Sequence, residues 1–349
     1  MIGFLISAIK IVFLLGFLII IHESGHFLVA KLCKVKVNEF AIGFGPTIWK
    51  KQGLETKYAL RLIPLGGFVS MEGEEEASDA EGSFSKASIP RRIAIVVAGA
   101  TVNIIFGLIV YFILMTSTGV TISNEISAVL DGYNSVESGL QVNDKVIEIN
   151  GIQVKTRKDV TKILTQSDGK ELKLKVERSG ELIDISLLPT EKEVNGIKGY
   201  YIGVTFKPVD NTFVNHIYYG LTETAEFSTS IIENLKNLIS GGVNPSQMMG
   251  IVGISDVVVS TNGFKEFIYI LALVSVSLGV TNLLPIPALD GGKLVILLIE
   301  AVRRKPLKQE VEASITMIGF SVLIALSIYV TYNDILRIFW KIYKNLLTI

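Results

Sequence analysis

The sequence predicts an α-helical polytopic membrane protein of about four transmembrane helices, with a small membrane-associated β-hairpin sheet and an inserted, β-rich α+β domain on the extracytoplasmic side. Three observations predict it. Hydrophobic residues are 49% of the chain and charged residues only 19%, with a mean hydropathy of +0.50, as in membrane proteins. Four stretches approach the roughly 20 apolar residues needed to cross a bilayer: Ile2 to Leu28, Ile93 to Thr116, Phe267 to Leu284, and Ala313 to Tyr332. Between the second and third, residues 120–210 are soluble in character and carry short apolar runs separated by turn signals. The divisions expected are an N-terminal membrane part (1–119), the inserted domain (120–210), and an amphipathic segment followed by the C-terminal membrane part (211–349).

Lys and Arg number 33, balanced by 33 Asp and Glu, so no large basic surface is implied and no nucleic-acid partner is expected. Cys33 is the single cysteine, which excludes an intramolecular disulfide and a Cys-rich zinc site. The first apolar stretch does not read as a signal peptide. It lacks a basic region before the run, Lys10 interrupts it, and no small-residue cleavage site follows. A retained helix is expected.

That helix carries His22-Glu23-Ser24-Gly25-His26. On a helix, His22 and His26 are one turn apart on one face, so both imidazoles can reach one Zn²⁺ while Glu23 points near its open position. Such a string also arises by chance, and a satisfied pair of core histidines is the bland alternative. The chain has three histidines in all, and ionisable groups beside Leu14 to Ile21 would cost several kcal/mol each in hydrocarbon, about 3 at a helix centre. Function is the better account of them.

Basic residues cluster between the first two stretches (Lys31, Lys34, Lys36, Lys50, Lys51, Lys57, Arg61, Lys86, Arg91, Arg92) and between the last two (Arg303, Arg304, Lys305, Lys308). The positive-inside rule makes these loops cytoplasmic and puts the termini and the inserted domain outside, although Arg337, Lys341 and Lys344 count against it. Within the first loop, Phe40 to Gly45 and the alternating Thr56 to Leu62 read as strands, and Pro64-Leu65-Gly66-Gly67-Phe68-Val69-Ser70-Met71 as a turn into another. A glycine-lined sheet edge beside a hydrolytic site can add an extended substrate as one more strand; an ordinary surface hairpin is the alternative. The acidic run Glu72 to Glu76 reads as a solvated turn.

In the inserted domain, Asn150-Gly151 and Ser179-Gly180 mark turns between alternating runs. Ser138-Gly139-Leu140-Gln141-Val142-Asn143-Asp144-Lys145-Val146-Ile147-Glu148-Ile149-Asn150-Gly151 resembles the signature of a PDZ domain of the bacterial protease type. Asn143 replaces the usual glycine and tolerates the same left-handed conformation. From Thr222 to Asn262 the chain reads as helical and amphipathic, lying along or dipping into the membrane surface, with a break at Gly241 to Pro245.

Asn282-Leu283-Leu284-Pro285-Ile286-Pro287-Ala288-Leu289-Asp290-Gly291-Gly292 ends the third stretch. Its prolines break the helix, and broken backbone is tolerated at membrane depth only when buried in protein or lining a cavity. Asp290 therefore sits where a carboxylate needs a partner. His22, His26 and Asp290 would supply the three protein ligands of a catalytic zinc; a helix-capping Asp is the alternative.

With both motifs, Gly99 to Asn103 in the second stretch and the Pro64 to Val69 loop, the chain resembles, over nearly its whole length, the site-2 protease family of intramembrane zinc metalloproteases, in its bacterial RseP type. The resemblance implies Zn²⁺ on His22, His26 and Asp290, Glu23 as general base, and a substrate contact at Asn282. It also implies a clamp at Gly66, Gly67 and Phe68. Its expected partners are the lipid bilayer and single-pass membrane proteins, namely an anti-sigma factor and remnant signal peptides, in the bacterial cytoplasmic membrane. The PDZ domain would exclude bulky outer domains or bind a peptide carboxy terminus. Ala100 stands where the family often has Pro, and Gly250-Ile251-Val252-Gly253 where it has Gly-Pro-Ile-Gly. A catalytically inactive membrane-bound PDZ scaffold is the alternative function, and an ion transporter, which would show internal repeats, is a weaker one.

Overall fold

Residues 2–74, 76, 78–118, 122–194, 197–240, 249–261 and 263–347 are described by a computed structural model. In chain order the elements are helix α1 (Ile2–Leu32), strands β1 (Val37–Gln52) and β2 (Lys57–Met71), and helix α2 (Ile89–Thr118). There follow β3 (Ile122–Val129), β4 (Lys145–Ile149), β5 (Ile152–Gln153), α3 (Arg157–Gln166), β6 (Leu172–Arg178), β7 (Glu181–Leu187), β8 (Thr190–Val194), β9 (Ile197–Tyr201) and β10 (Val204–Pro208). Five helices complete the chain: α4 (Phe213–Ile239), α5 (Ile251–Ser260), α6 (Phe264–Asn282), α7 (Asp290–Arg303) and α8 (Gln309–Leu347). The chain forms two compact units, Met1–Leu114 with Glu223–Ile349, and Met115–Thr222.

Four helices of the first unit are long and apolar enough to cross a membrane, within α1, α2, α6 and α8. They correspond to the four apolar stretches of the sequence. Lipid gives apolar faces little reason to seek one another, so close backbone approach at small residues has to hold such helices together. A Cβ on Gly25 of α1 would come within 2.6 Å of the Ala98 carbonyl oxygen of α2, and one on Gly279 of α6 within 2.6 Å of the Ala100 oxygen. Ala100, where the resemblance often brings Pro, thus lies at a tight helix crossing. Leu14 and Leu18 of α1, Val258 of α5, and Ile270 and Leu271 of α6 fill the space beside these contacts. A second cluster joins Ala30, Val37, Met71, Phe84, Ile95 and Leu297, and so ties the hairpin to α1, α2 and α7.

The hairpin differs from its sequence reading. No turn separates Pro64–Gly66 from what precedes it: β2 is continuous from Lys57 to Met71, and the reversal lies at residues 53–56. The two strands instead exchange partners along their length. Ala41 faces Phe68 on one side and Ala59 on the other, and Lys57 faces both Glu39 and Gln52. The residues on either side of Pro64 to Gly66 stay paired, Ile63 with Phe44 and Gly67 with Ile42, so the strand runs through the Pro and Gly residues without ending there. The acidic run is also more than a solvated turn. Glu72 accepts hydrogen bonds from Asn38 Nδ2 at 3.0 Å and Ser78 Oγ at 2.6 Å, and Glu74 accepts one from Lys293 Nζ at 2.7 Å. The expected break at Gly241 to Pro245 lies outside the described residues.

The second unit is a six-stranded sheet in the order β10-β3-β4-β6-β7, with β5 on β4, and a separate β8-β9 hairpin. Apolar residues at alternate positions of β6 and β7 (Leu172, Leu174, Val176, Ile185, Leu187), together with Val146 and Ile149 on either side of a register shift in β4, form one core with Val160 and Ile163 of α3. Asn143 and Asn150 both adopt positive φ, 73° and 51°, in the turns where the sequence places them.

Candidate metal centre

His22, Glu23 and His26 lie in the last third of α1, with the two imidazole centroids 4.8 Å apart. Space for the rings comes from α2. Gly99 faces them, and a methyl at that position would overlap His26 Nε2 and come 2.9 Å from His22 Cε1. The third group arrives from the break between α6 and α7. Asn282 closes α6, residues 283–289 run outside any helix, and Ala288 takes a positive φ of 76° before Asp290 starts α7. Left-handed backbone costs a non-glycine residue about 1–2 kcal/mol. That strain reverses the chain so that Asp290 meets α1.

The three donor atoms form a nearly equilateral triangle. His22 Nε2 and His26 Nε2 are 3.3 Å apart, and Asp290 Oδ2 is 3.3 Å from the first and 3.4 Å from the second. His26 Nδ1 is 2.8 Å from the Ile95 carbonyl oxygen, to which it can only donate, so in the neutral ring Nε2 carries a lone pair. Asp290 Oδ2 is buried without a hydrogen-bond donor. Lone pairs at this separation repel unless a cation stands among them. Bonds of about 2.0–2.1 Å at tetrahedral angles place ligand atoms about 3.3–3.4 Å apart, so the triangle has the edge length that zinc requires, and two imidazoles with one carboxylate are a usual zinc donor set. Among the described residues this is the cluster of His, Cys and acidic side chains able to hold a metal ion.

Peptidase family M50 matches residues 10–326 of this sequence. The chain belongs to peptidase family M50. A Clostridium acetobutylicum chain bearing a zinc metalloprotease name is 34% identical across 92% of this chain and 94% of its own length. Zinc metalloprotease RasP of Geobacillus kaustophilus is 30% identical across 95% and 98%, and regulator of sigma-W protease RasP of Bacillus subtilis is 28% identical across 96% and 100%. A solved PDZ domain of an SdrC-like protein from Listeria innocua aligns with 26% of this chain and 99% of its own, at 14% identity and a TM-score of 0.23. The protein is accordingly a zinc metalloprotease, and Zn²⁺ is its cofactor.

Other residues singled out in the sequence stand at graded distances from the M50 centre. Asn282 Nδ2 is 3.5 Å from His22 Nε2. Gly67 lies against the base: a Cβ there would be 3.1 Å from Glu23 Cγ and 3.2 Å from Ile19 Cγ2. Gly66 is packed on the Phe44 ring, and the Phe68 ring lies 4.9 Å from the Arg61 guanidinium carbon. Among the described residues, 67–71 of β2 pair with β1 on one side only, which leaves an outer backbone edge next to Glu23. Two further contributors have roles that the sequence does not spell out, although Gly99 belongs to the Gly99 to Asn103 stretch already noted. The Ile95 carbonyl has no side-chain signal at all, and the space supplied by Gly99 is recognisable only once α2 is seen to face the histidines.

Proposed function

We propose that this M50 protease hydrolyses peptide bonds within transmembrane segments of single-pass membrane proteins. The observation that carries the reading is the closed triangle of His22, His26 and Asp290, with Glu23 beside it, on a helix long and apolar enough to span a bilayer. The three residues hold zinc. When bound there, zinc acts as a Lewis acid on the scissile carbonyl and makes water nucleophilic near neutral pH. Glu23 takes the proton from the attacking water and returns it to the leaving amine. Asn282, 3.5 Å from His22, supplies an amide donor for the oxygen of the scissile carbonyl.

Helical peptide bonds are shielded by their own hydrogen bonds, so the substrate must be drawn out before it is cut. The open edge at Gly67 to Met71 supports pairing with an extended substrate, with the small Gly67 admitting it close to Glu23. Exposed Phe44, Ile48, Trp49 and Leu62 on the hairpin support its insertion into the membrane boundary. The basic loops support an orientation with the hairpin and the motif end of α1 toward the cytoplasm of a bacterial inner membrane and residues 120–210 on the opposite side.

The second unit acts as a PDZ domain. Its β10 is at the end of the strand order, where a peptide carboxy terminus can add as a further strand; exclusion of substrates with bulky outer domains is the other role open to it. An anti-sigma factor is the substrate class that the sigma-W name of the Bacillus subtilis relative favours, with remnant signal peptides a second class. A catalytically inactive PDZ scaffold is disfavoured by the intact quartet of His22, Glu23, His26 and Asp290. The test is metal analysis. The purified chain should carry about one zinc per molecule, and Asp290→Ala should lose most of it; unchanged zinc in the variant removes Asp290 from the ligand set.

A further inference from the structure

We propose that Asn103 is a positioning residue for His22, accepting a hydrogen bond from its Nδ1–H and thereby presenting Nε2 to the metal. The inference rests on His22 being a ligand. A neutral imidazole that gives Nε2 to a metal carries its proton on Nδ1, and that N–H needs an acceptor to hold the ring's angle. His26 has one in the Ile95 carbonyl oxygen at 2.8 Å. For His22 the neighbour at Nδ1 is the amide of Asn103, at 3.5 Å through Nδ2.

Asn103 is fully buried on α2, four residues after Gly99, so one face of that helix supplies both the space for the imidazoles and this amide. Its Oδ1 has no hydrogen-bond donor. A half-turn about Cβ–Cγ exchanges Oδ1 and Nδ2 without changing the shape of the side chain. With His22 as a ligand, that exchange replaces a clash of two donors by an Nδ1–H→Oδ1 bond and gives the orphaned oxygen its partner. The backbone at Asn103 is held as well, because Ser275 Oγ of α6 donates to its carbonyl oxygen at 2.8 Å. Asn103 thus joins α2 and α6 at the depth of the metal and sets one ligand from α1.

The experiment measures zinc affinity of the purified full-length chain by competition with a chelator, for the wild type, Asn103→Leu, Asn103→Asp and His22→Ala. Leucine keeps the volume without polarity, and aspartate keeps only acceptors. The expected result is a fall of about 10–100-fold for Asn103→Leu, the usual effect of losing such a partner, and near wild-type affinity for Asn103→Asp. Wild-type affinity in a folded Asn103→Leu, or an Asn103→Asp that loses zinc, overturns the proposal. Should the leucine variant fail to fold, the aspartate variant alone decides by the same criterion. His22→Ala separates the two readings: if it retains zinc, the ligand assignment itself is wrong, whereas loss in His22→Ala with retention in Asn103→Leu removes Asn103 alone.

Discussion

Gly99 leaves less than a methyl group of space between α2 and two imidazoles. Gly99→Ala should therefore push both rings off their positions while costing the helix nothing in propensity, since alanine favours a helix by about 1 kcal/mol over glycine. The expected outcome is an unchanged helical circular dichroism spectrum with zinc affinity reduced by about tenfold or more, measured by chelator competition. At this scale the sequence was legible where chemistry is local. His22, Glu23 and His26 fall within five residues, and Asp290 was found because two prolines and a carboxylate in an apolar stretch demand an explanation. Gly99 and the Ile95 carbonyl were not legible as parts of the site, because their role is defined by a ring packed against them from a helix some 70 residues away in the chain.

Among the elements, α5 shows how a ten-residue helix can be kept beside helices long and apolar enough to cross a membrane. Its N-terminus is met by Asp334 of α8, fully buried, which accepts the backbone N–H groups of Gly250 at 2.9 Å and Gly253 at 2.7 Å. Its C-terminus is met by Lys10 of α1, which donates to the Thr261 carbonyl oxygen at 3.0 Å. A negative group at the start and a positive group at the end both follow the helix dipole. Hydrogen bonds to charged groups contribute about 1.5–3 kcal/mol each, comparable with the roughly 2.5–3.5 kcal/mol that a charge costs at the centre of a bilayer helix, so the pair of clamps offsets its own burial. Asp334→Ala should leave two buried amides without an acceptor. Hydrogen exchange at the first turn of α5 should accelerate accordingly, by about 5–150-fold for a loss of about 1–3 kcal/mol, and unchanged protection there would count against the clamp. The sequence marked Lys10 only as an interruption. Ile251 and Val252 depart from the Gly-Pro-Ile-Gly pattern, but the two glycines that flank them are kept, and a Cβ on either would crowd Asp334, within 3.0 Å at Gly250 and 2.7 Å at Gly253. The hairpin was legible as a sheet but not in its pairing, since exchange of partners along one strand leaves no trace in alternation.

The molecule as a whole combines a unit of long apolar helices with a β-rich one, and their stabilities answer to different conditions. In the second unit, Arg178 Nε and Nη2 bond both oxygens of the buried Asp144, at 2.7 and 2.8 Å, and the Gln141 N–H adds a third bond at 2.8 Å. Burial pushes the Asp144 carboxyl up, but these bonds outweigh it and hold it below the ordinary carboxylate range. The unfolded state therefore binds the proton first. Stability from this group is present above the unfolded pKa of about 4 and is lost as pH falls through the lower folded value. Hydrogen exchange of the second unit in the full chain should show that decline below about pH 4, and Asp144→Asn should flatten it while costing about 1–3 kcal/mol at neutral pH. That four long apolar helices would flank a β-rich stretch was legible from composition and alternation, because those patterns extend over tens of residues.

In the proposed reaction Glu23, beside a zinc held by His22, His26 and Asp290, is the general base that drives cleavage of a peptide bond at membrane depth. Cleavage of a single-pass reporter by the full-length chain in reconstituted vesicles, compared with Glu23→Gln, tests it most directly. The account predicts about one zinc per chain in both proteins and a loss of at least about 10²–10⁴-fold in cleavage rate for the variant, the range a general base contributes. A Glu23→Gln protein that retains zinc and cuts at the wild-type rate would contradict it.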